Sequence, residues 1–300
     1  MNHQYLLKHP ELFQYVIGIT HSRFVSLLPL FMVTLNKEGA KRAWSKKRVR
    51  IPGGGRKPTL RTTEEKLFFI LLYYKTYPTF RFAQAIFGFD KRNVQLWMRY
   101  LQIVLFETLG YELELPKRRV RHMDDWLTIC PKLLEFLVDA TERPINRPSD
   151  NHVQKEYYSG KKKQHTVKNQ VFVSPTNGRI LAVSNTVEGR RHDKKLFDDD
   201  STSMFLPPGA VGVGDKGYEG ICHPFLNMIV PKKKPPGREL TIEEKANNRT
   251  ISRVRVHVEH PFSYMKHFNI LSHKFRSRIE RADLPFKTIA AIYNFTRPAT

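Results

Sequence analysis

Three acids have the residue types and neighbours that metal-assisted chemistry requires. Asp139 closes the short apolar run 134–139 (LEFLVD) and Asp215 closes a second, 211–215 (VGVGD). Glu259 lies in a basic segment, with Arg255 four residues before it and Lys266 seven after. Acids at the ends of two short strands meet when the strands are neighbours, because side chains there project to a common edge. The third acid would come from a helix, where those offsets put Arg255, Glu259 and Lys266 on one face. Three carboxylates with no thiolate favour a hard cation, Mg²⁺ or Mn²⁺. Two such ions about 4 Å apart commonly serve phosphoryl transfer, activating water or a 3′-hydroxyl on one side and stabilising the leaving oxygen on the other. Arg255 and Lys266 are candidates to neutralise nearby phosphates. Taken alone, an Asp at a strand end is also a common turn or cap residue, and spacing leaves that reading open.

The charge balance narrows the partner. Lys and Arg number 51 against 28 Asp and Glu, a net charge of +23 spread along the chain, which points to a polyanion, most often nucleic acid. A hydrophobic content of 40% with 12% aromatics suffices for a substantial core. Cys130 and Cys222 are far apart with no C-x-x-C, which argues against a disulfide framework or a cysteine zinc site and for a reducing compartment. His257, His260, His267 and His273 lack a good tetrahedral set. The longest apolar runs, 24–33 and 67–74, fall short of the ~20 residues of a membrane span, and the first residues lack a secretory pattern. The expectation is a cytoplasmic protein with no membrane partner, at the nucleoid in a bacterium or in the nucleus of a eukaryote.

The elements around these acids fall into stretches of different character. Residues 1–58 read as helical up to about 40, then as a basic segment around Gly53, Gly54 and Gly55, suited equally to a linker or to an arm in a DNA minor groove. Residues 59–120 predict three helices. Thr62 and Glu65 have capping-box spacing for the first, with Leu67, Ile70, Leu71 and Tyr74 inward. The second runs from Thr79 to the breaker Gly88. Asp90 caps the third, whose apolar side is Val94, Trp97, Leu101 and Leu105, leaving Lys91, Arg92, Asn93, Gln95 and Arg99 outward. That pattern fits a helix-turn-helix reading DNA with these five side chains, and equally a three-helix bundle with a solvated face.

Residues 121–300, beyond a basic stretch at 117–121, read as an α/β domain with a mixed sheet. The run 134–139 is a strand, 170–174 and 180–186 form a hairpin around Pro175-Thr176-Asn177-Gly178, and 211–215 and 228–230 are further strands. Asp193, in His192-Asp193, reads best as a helix N-cap. The runs Lys161-Lys162-Lys163 and Lys232-Lys233-Lys234 fit either solvated faces or a DNA backbone track. Pro261 predicts a kink in the helix carrying Glu259.

The ordered segments VDATERPINRP (138–148), YYSGKKKQHTVKNQV (157–171), GRRHDKKLF (189–197), GDKGYEG (214–220) and RVRVHVEHPFSYMKHF (253–268) resemble DDE-superfamily insertion-sequence transposases of the insertion-sequence-five type, related to Harbinger transposases. The resemblance implies a ribonuclease-H-like catalytic domain preceded by an all-α helix-turn-helix domain, with Asp139 on the first strand, Asp215 on the fourth and Glu259 on a later helix. The last motif is similar to Tyr, two residues, Arg, three residues, Glu, six residues, Lys, with Ser252 standing where Tyr is usual. It implies double-stranded DNA with terminal inverted repeats as partner, and a homodimer. Two rival readings are a non-catalytic DNA-binding protein, which would have lost one or more acids, and a metal-dependent nuclease without strand transfer.

Overall fold

The structure, a computed structural model, describes residues 8–44, 58–110, 135–200, 203, 206 and 208–297. The Gly53–55 run, the basic stretch 117–121 and Cys130 lie outside them. The chain forms two compact units: the described residues of 1–111 with His267–Leu271, and those of 112–266 and 272–300. The predicted N-terminal helices and the three helices after them thus share one unit. Among the described residues no single helix is long and apolar enough to cross a membrane.

The helical unit contains α1 (Pro10–Ile17), α2 (His21–Trp44), α3 (Thr63–Thr76), α4 (Phe80–Phe87) and α5 (Lys91–Leu109). Its starts are written in local chemistry. The Thr62 side chain accepts from Glu65 N at 3.0 Å while Glu65 Oε2 accepts from Thr62 N at 3.0 Å, completing the capping box. Thr79 accepts from Phe82 N and Asp90 from Arg92 N, starting the next two helices. Gly88, at φ +68°, ends α4 in a conformation that favours a residue without Cβ. Every residue of α3 from Leu67 to Tyr74 is buried, beyond the single inward stripe expected, because a helix apolar all round is enclosed by its neighbours. Phe13 of α1 packs against Phe24 and Phe68, which draws the first helices into the same core. On α5, Val94, Leu101 and Leu105 are buried as expected, but Met98 takes the inward place assigned to Trp97. Trp97 stays half-buried, with Lys66 Nζ 5.8 Å from its ring.

The second unit is a mixed sheet with helices. Its strands are β1 (Glu135–Pro144), β2 (Tyr158–Ser159), β3 (Gln164–Val173), β4 (Ile180–Val183), β5 (Val187–Glu188), β6 (Ala210–Val213) and β7 (Leu226–Ile229). The helices are α6 (Asn151–Tyr157), α7 (Asp193–Asp199), α8 (Ile242–Lys266) and α9 (Asp283–Thr296). β3 pairs antiparallel with β1 on one edge and with β2, β4 and β5 on the other, while β1, β6 and β7 run parallel. The five longer strands therefore stand in the order β4-β3-β1-β6-β7, which is compatible with a ribonuclease-H-like domain. The expected hairpin forms: Gly178 turns at φ +67° and Asn177 Oδ1 accepts from Arg179 N at 3.0 Å. Its second strand stops at Val183, because the Ser184 hydroxyl, not a main-chain carbonyl, accepts the Gln170 N–H at 2.8 Å. Phe136, Val138, Phe172, Leu181, Phe197 and Tyr218 form the core on one side of the sheet. Gly212 and Gly214 explain the VGVGD spelling, since a Cβ at either would fall within 3 Å of Met228 and of the Phe136 or Tyr218 ring.

Candidate active site

Register brings two of the acids together. In the parallel β1–β6 pair, Leu137 stands opposite Val213, so Asp139 and Asp215 each lie two residues beyond a matched position. Neighbouring strands are about 4.8 Å apart, so the two acids stand side by side where the β1–β6 pairing ends. Asp215 lies just beyond β6, and Asp139 lies not at the strand end expected of it but midway along β1, which runs on to Pro144 paired with β3. Asp215 Oδ1 accepts from Gly217 N at 2.7 Å, which starts a short 3-10 turn, and Asp139 Oδ1 accepts from Ala140 N at 2.8 Å. A third carboxylate joins them. Asp193 Oδ2 and Asp215 Oδ1 both lie 2.8 Å from where a Cβ on Gly217 would sit, so the absence of a side chain at 217 lets them approach.

The cluster is under-neutralised. Burial pushes the Asp139 carboxyl up to about 6, and the charges of Asp215 and Asp193 push in the same direction. The Ala140 N–H and the Arg255 guanidinium oppose the rise, but Arg255 Nη2 is 3.9 Å from Asp139 Oδ2 and its buried Nε has no hydrogen-bond partner. Burial also lowers the Lys266 ammonium, helped by Lys162 and opposed by Asp139. Lys168, itself buried, donates to Asp193 Oδ1 at 2.8 Å and to the Arg191 carbonyl at 2.6 Å. Beneath the acids the fully buried Tyr218 donates its hydroxyl to Gln170 Oε1 at 3.1 Å. Its ionisation is pushed well above the usual range by burial first and then by the three aspartates.

The structure places Arg255 and Lys266 in the field of Asp139, and Glu259 one helical turn beyond Arg255 on α8. Glu259 is exposed, and among the described residues no group of three or more His, Cys, Asp or Glu side chains closes into a metal site. The helix continues through Pro261, whose ring is buried. Oxygen-only donors, crowded at Asp139 and Asp215 beside the Lys168-paired Asp193, fit a hard divalent cation.

Sequence reasoning missed the role of Asp193. The cap of α7 is His192, whose Nδ1 accepts from Lys194 N at 3.3 Å, while Asp193 is the first helical residue and turns its carboxylate to Lys168. Lys168 and Tyr218 carried no signal of their own, since only the fold shows which acids they meet. Lys232 and Lys234 pair with Glu244 and Glu239, whereas Lys161, Lys162 and Lys163 are exposed. In the helical unit Lys91, Arg92 and Asn93 are exposed at the start of α5, and Gln95 and Arg99 are half-buried. His257 and His260 are exposed, with ring centroids 6.2 Å apart.

Residues 138–294 match the family described as DDE superfamily endonuclease. The chain is 31% identical over 242 residues to the "Probable transposase for insertion sequence element IS702" of Microchaete diplosiphon, covering 80% of this chain and 83% of that protein. It is 22% identical over 209 residues to the "Putative transposase for insertion sequence element IS112" of Streptomyces albus G, covering 69% and 70%. No solved structure matches. The chain belongs to the DDE endonuclease superfamily.

Proposed function

We propose that the protein is a transposase that cuts DNA at the ends of its own element and joins those ends to new DNA, using Asp139, Asp215 and Glu259 as its metal-binding acids. The observation that carries this reading is the level placement of Asp139 and Asp215 on adjacent parallel strands. The transposase names of two relatives support it. The donor set suits Mg²⁺ or Mn²⁺, and two such ions would supply Lewis-acid chemistry at the attacking and leaving oxygens. Asp139 and Asp215 hold the metal from adjacent strands, and Glu259 completes the set from α8, one helical turn beyond Arg255. Arg255 offsets the charge at Asp139, and Lys266 meets a phosphate.

In the other unit, α3 to α5 act as a helix-turn-helix on the terminal inverted repeats of duplex DNA. Lys91, Arg92 and Asn93 lead, with Gln95 and Arg99 behind them on α5. The partner is a second copy of the chain, so that two ends are processed together, and the element is of the insertion-sequence-five type related to Harbinger. The working location is the nucleoid of a bacterium or the nucleus of a eukaryote.

The test is strand transfer of a labelled element end into plasmid with Mg²⁺, for the wild type and for Asp139→Ala, Asp215→Ala and Glu259→Ala. Joined products lost in all three variants are expected. Cleavage without joining would make the protein a nuclease, and DNA binding with no metal-dependent chemistry would make it a non-catalytic DNA-binding protein. Undiminished activity in Glu259→Ala would remove that residue from the triad.

A further inference from the structure

Away from the acidic edge, the sheet unit holds an open cavity of about 770 Å³ lined by Arg147, Lys155, Tyr158, His165 and Arg190 with Asn151 and Gln154. Its charge is uncompensated. Arg147, Lys155 and Arg190 are exposed, and among the described residues none of them has an acidic partner. Arg147 is nonetheless held in place: its Nε donates to Gln154 Oε1 at 2.9 Å, while Gln154 Nε2 donates to the Pro148 carbonyl at 2.8 Å. This fixes the guanidinium by one nitrogen and leaves its terminal amino groups to a ligand. Three cations around one cavity repel one another, and an anion with several oxygens relieves that repulsion, a phosphate above all.

The remaining wall is aromatic. Tyr158 of β2 stands opposite His165 of β3, with ring centroids 5.5 Å apart at 71°. Tyr158 is 42% exposed, a large ring open to solvent beside the cations. A phosphate needs no ring, and a base inside a duplex offers none of its face. A nucleotide out of the stack offers both a phosphate and a base face.

We propose that this cavity binds one unpaired nucleotide of a DNA strand, its base stacked on Tyr158 and its phosphate held by Arg147, Lys155 and Arg190. The site serves the transposase reading above and rests on it for the identity of the strand. On β3, Thr166 pairs with Pro144 and Val171 with Asp139, so the cavity beside His165 lies roughly 20 Å along the sheet from the acids. At about 3.4 Å per nucleotide, a strand cut at the acids reaches the cavity within about six nucleotides. The unpaired nucleotide therefore belongs to the DNA flanking the cut.

The experiment measures binding by the full chain, without divalent metal, of a labelled blunt duplex and of the same duplex with a six-nucleotide single-stranded extension. The wild type should hold the extended DNA at least about fivefold more tightly, the lower end of what one base-aromatic stack supplies. Tyr158→Ala should erase that preference, Tyr158→Phe should keep it, and Arg147→Ala and Arg190→Ala should reduce it. Thymidine monophosphate at millimolar concentration separates a strand from a free nucleotide. If it abolishes binding of the extension at concentrations that leave blunt-duplex binding intact, and the extension gives no tighter binding than blunt DNA without it, the cavity is a free-nucleotide site and the strand assignment is wrong. Equal affinity for the two DNAs in the wild type, or an undiminished preference in Tyr158→Ala, overturns the proposal. Failure to bind the blunt duplex at all counts instead against the transposase reading.

Discussion

Two polar clusters share strand β1 and are built on opposite terms. Around Arg143, which is 2% exposed, hydrogen bonds converge, although burial pulls its guanidinium down to about 9 and its Nε has no partner. Its guanidinium donates to the Ala282 carbonyl, Asn169 Oδ1 and Thr186 Oγ1 at 3.1, 2.5 and 3.2 Å and lies over the Phe286 ring. Asp283 accepts from the Thr186 main chain and hydroxyl and pairs with Lys287 at 2.7 Å. Four residues earlier on the same strand, Asp139 has one main-chain donor, a cation 3.9 Å away and two further aspartates in its field. The first cluster fastens α9 to the sheet. The second leaves carboxylate charge unanswered, a cost that a folded protein tolerates where an external cation is to be bound.

That contrast breaks if the two clusters respond alike to substitution. Asp139→Asn should carry the largest effect, a loss of strand cleavage of about 10³-fold or more, while the metal-free protein becomes more stable. The sign follows from the raised carboxyl. Protonation is easier in the folded state, so the stability associated with this group is complete below its ordinary value of 3.8 and is lost as pH rises through about 6. In chelator the variant should exceed the wild type by roughly 3 kcal/mol at most at pH 8, and the gap should close toward pH 4. Urea unfolding at the two pH values measures it, and a gap that does not change with pH would show that Asp139 is not held in this way.

Arg143→Met should do the opposite, lowering stability by about 2–4 kcal/mol because the Ala282 carbonyl, Asn169 Oδ1 and Thr186 Oγ1 lose a charged donor. A loss below about 1 kcal/mol would mean that the hydrogen-bonded cluster is not what fastens α9. Lys168→Met probes the one strong pair within the under-neutralised edge. It should cost on the order of 2–4 kcal/mol, and Asp193→Asn added to it should recover most of the loss, a coupling that a double-mutant cycle reads directly. Thr186→Val, the mildest change, should cost about 1 kcal/mol with cleavage retained.

What was legible beforehand follows the range over which each signal acts. Helix starts at Thr62, Thr79 and Asp90 are decided by side chains two or three residues away, and the sequence spells them out. Asp215 was readable as a strand end because its short apolar run stops at the acid, but the same rule cut the first strand short: β1 runs on past Asp139 to Pro144, since its polar half pairs with β3. Asp193 was misread for the same reason that the caps were read well: a local rule was applied to a residue whose partner, Lys168 on β3, lies 25 positions earlier and meets it only where α7 packs on the sheet. The Arg143 cluster draws on β1, β3, the turn before β5 and α9, and no spacing in the chain announces it. Trp97 failed through helical phase: Met98, four residues after Val94 and three before Leu101, takes the inward place, while Trp97 is half-buried beside Lys66.

The pairing of Leu137 with Val213 also sets where the chain tolerates changes of length. Side chains alternate along a strand, so one residue inserted just before Asp215 would send its carboxylate to the opposite side of the sheet. An insertion in the loops between β1 and β6 would leave both acids level. Relatives of this chain are therefore free to lengthen or shorten the path from one acid to the other, provided that the few residues leading into each keep their count.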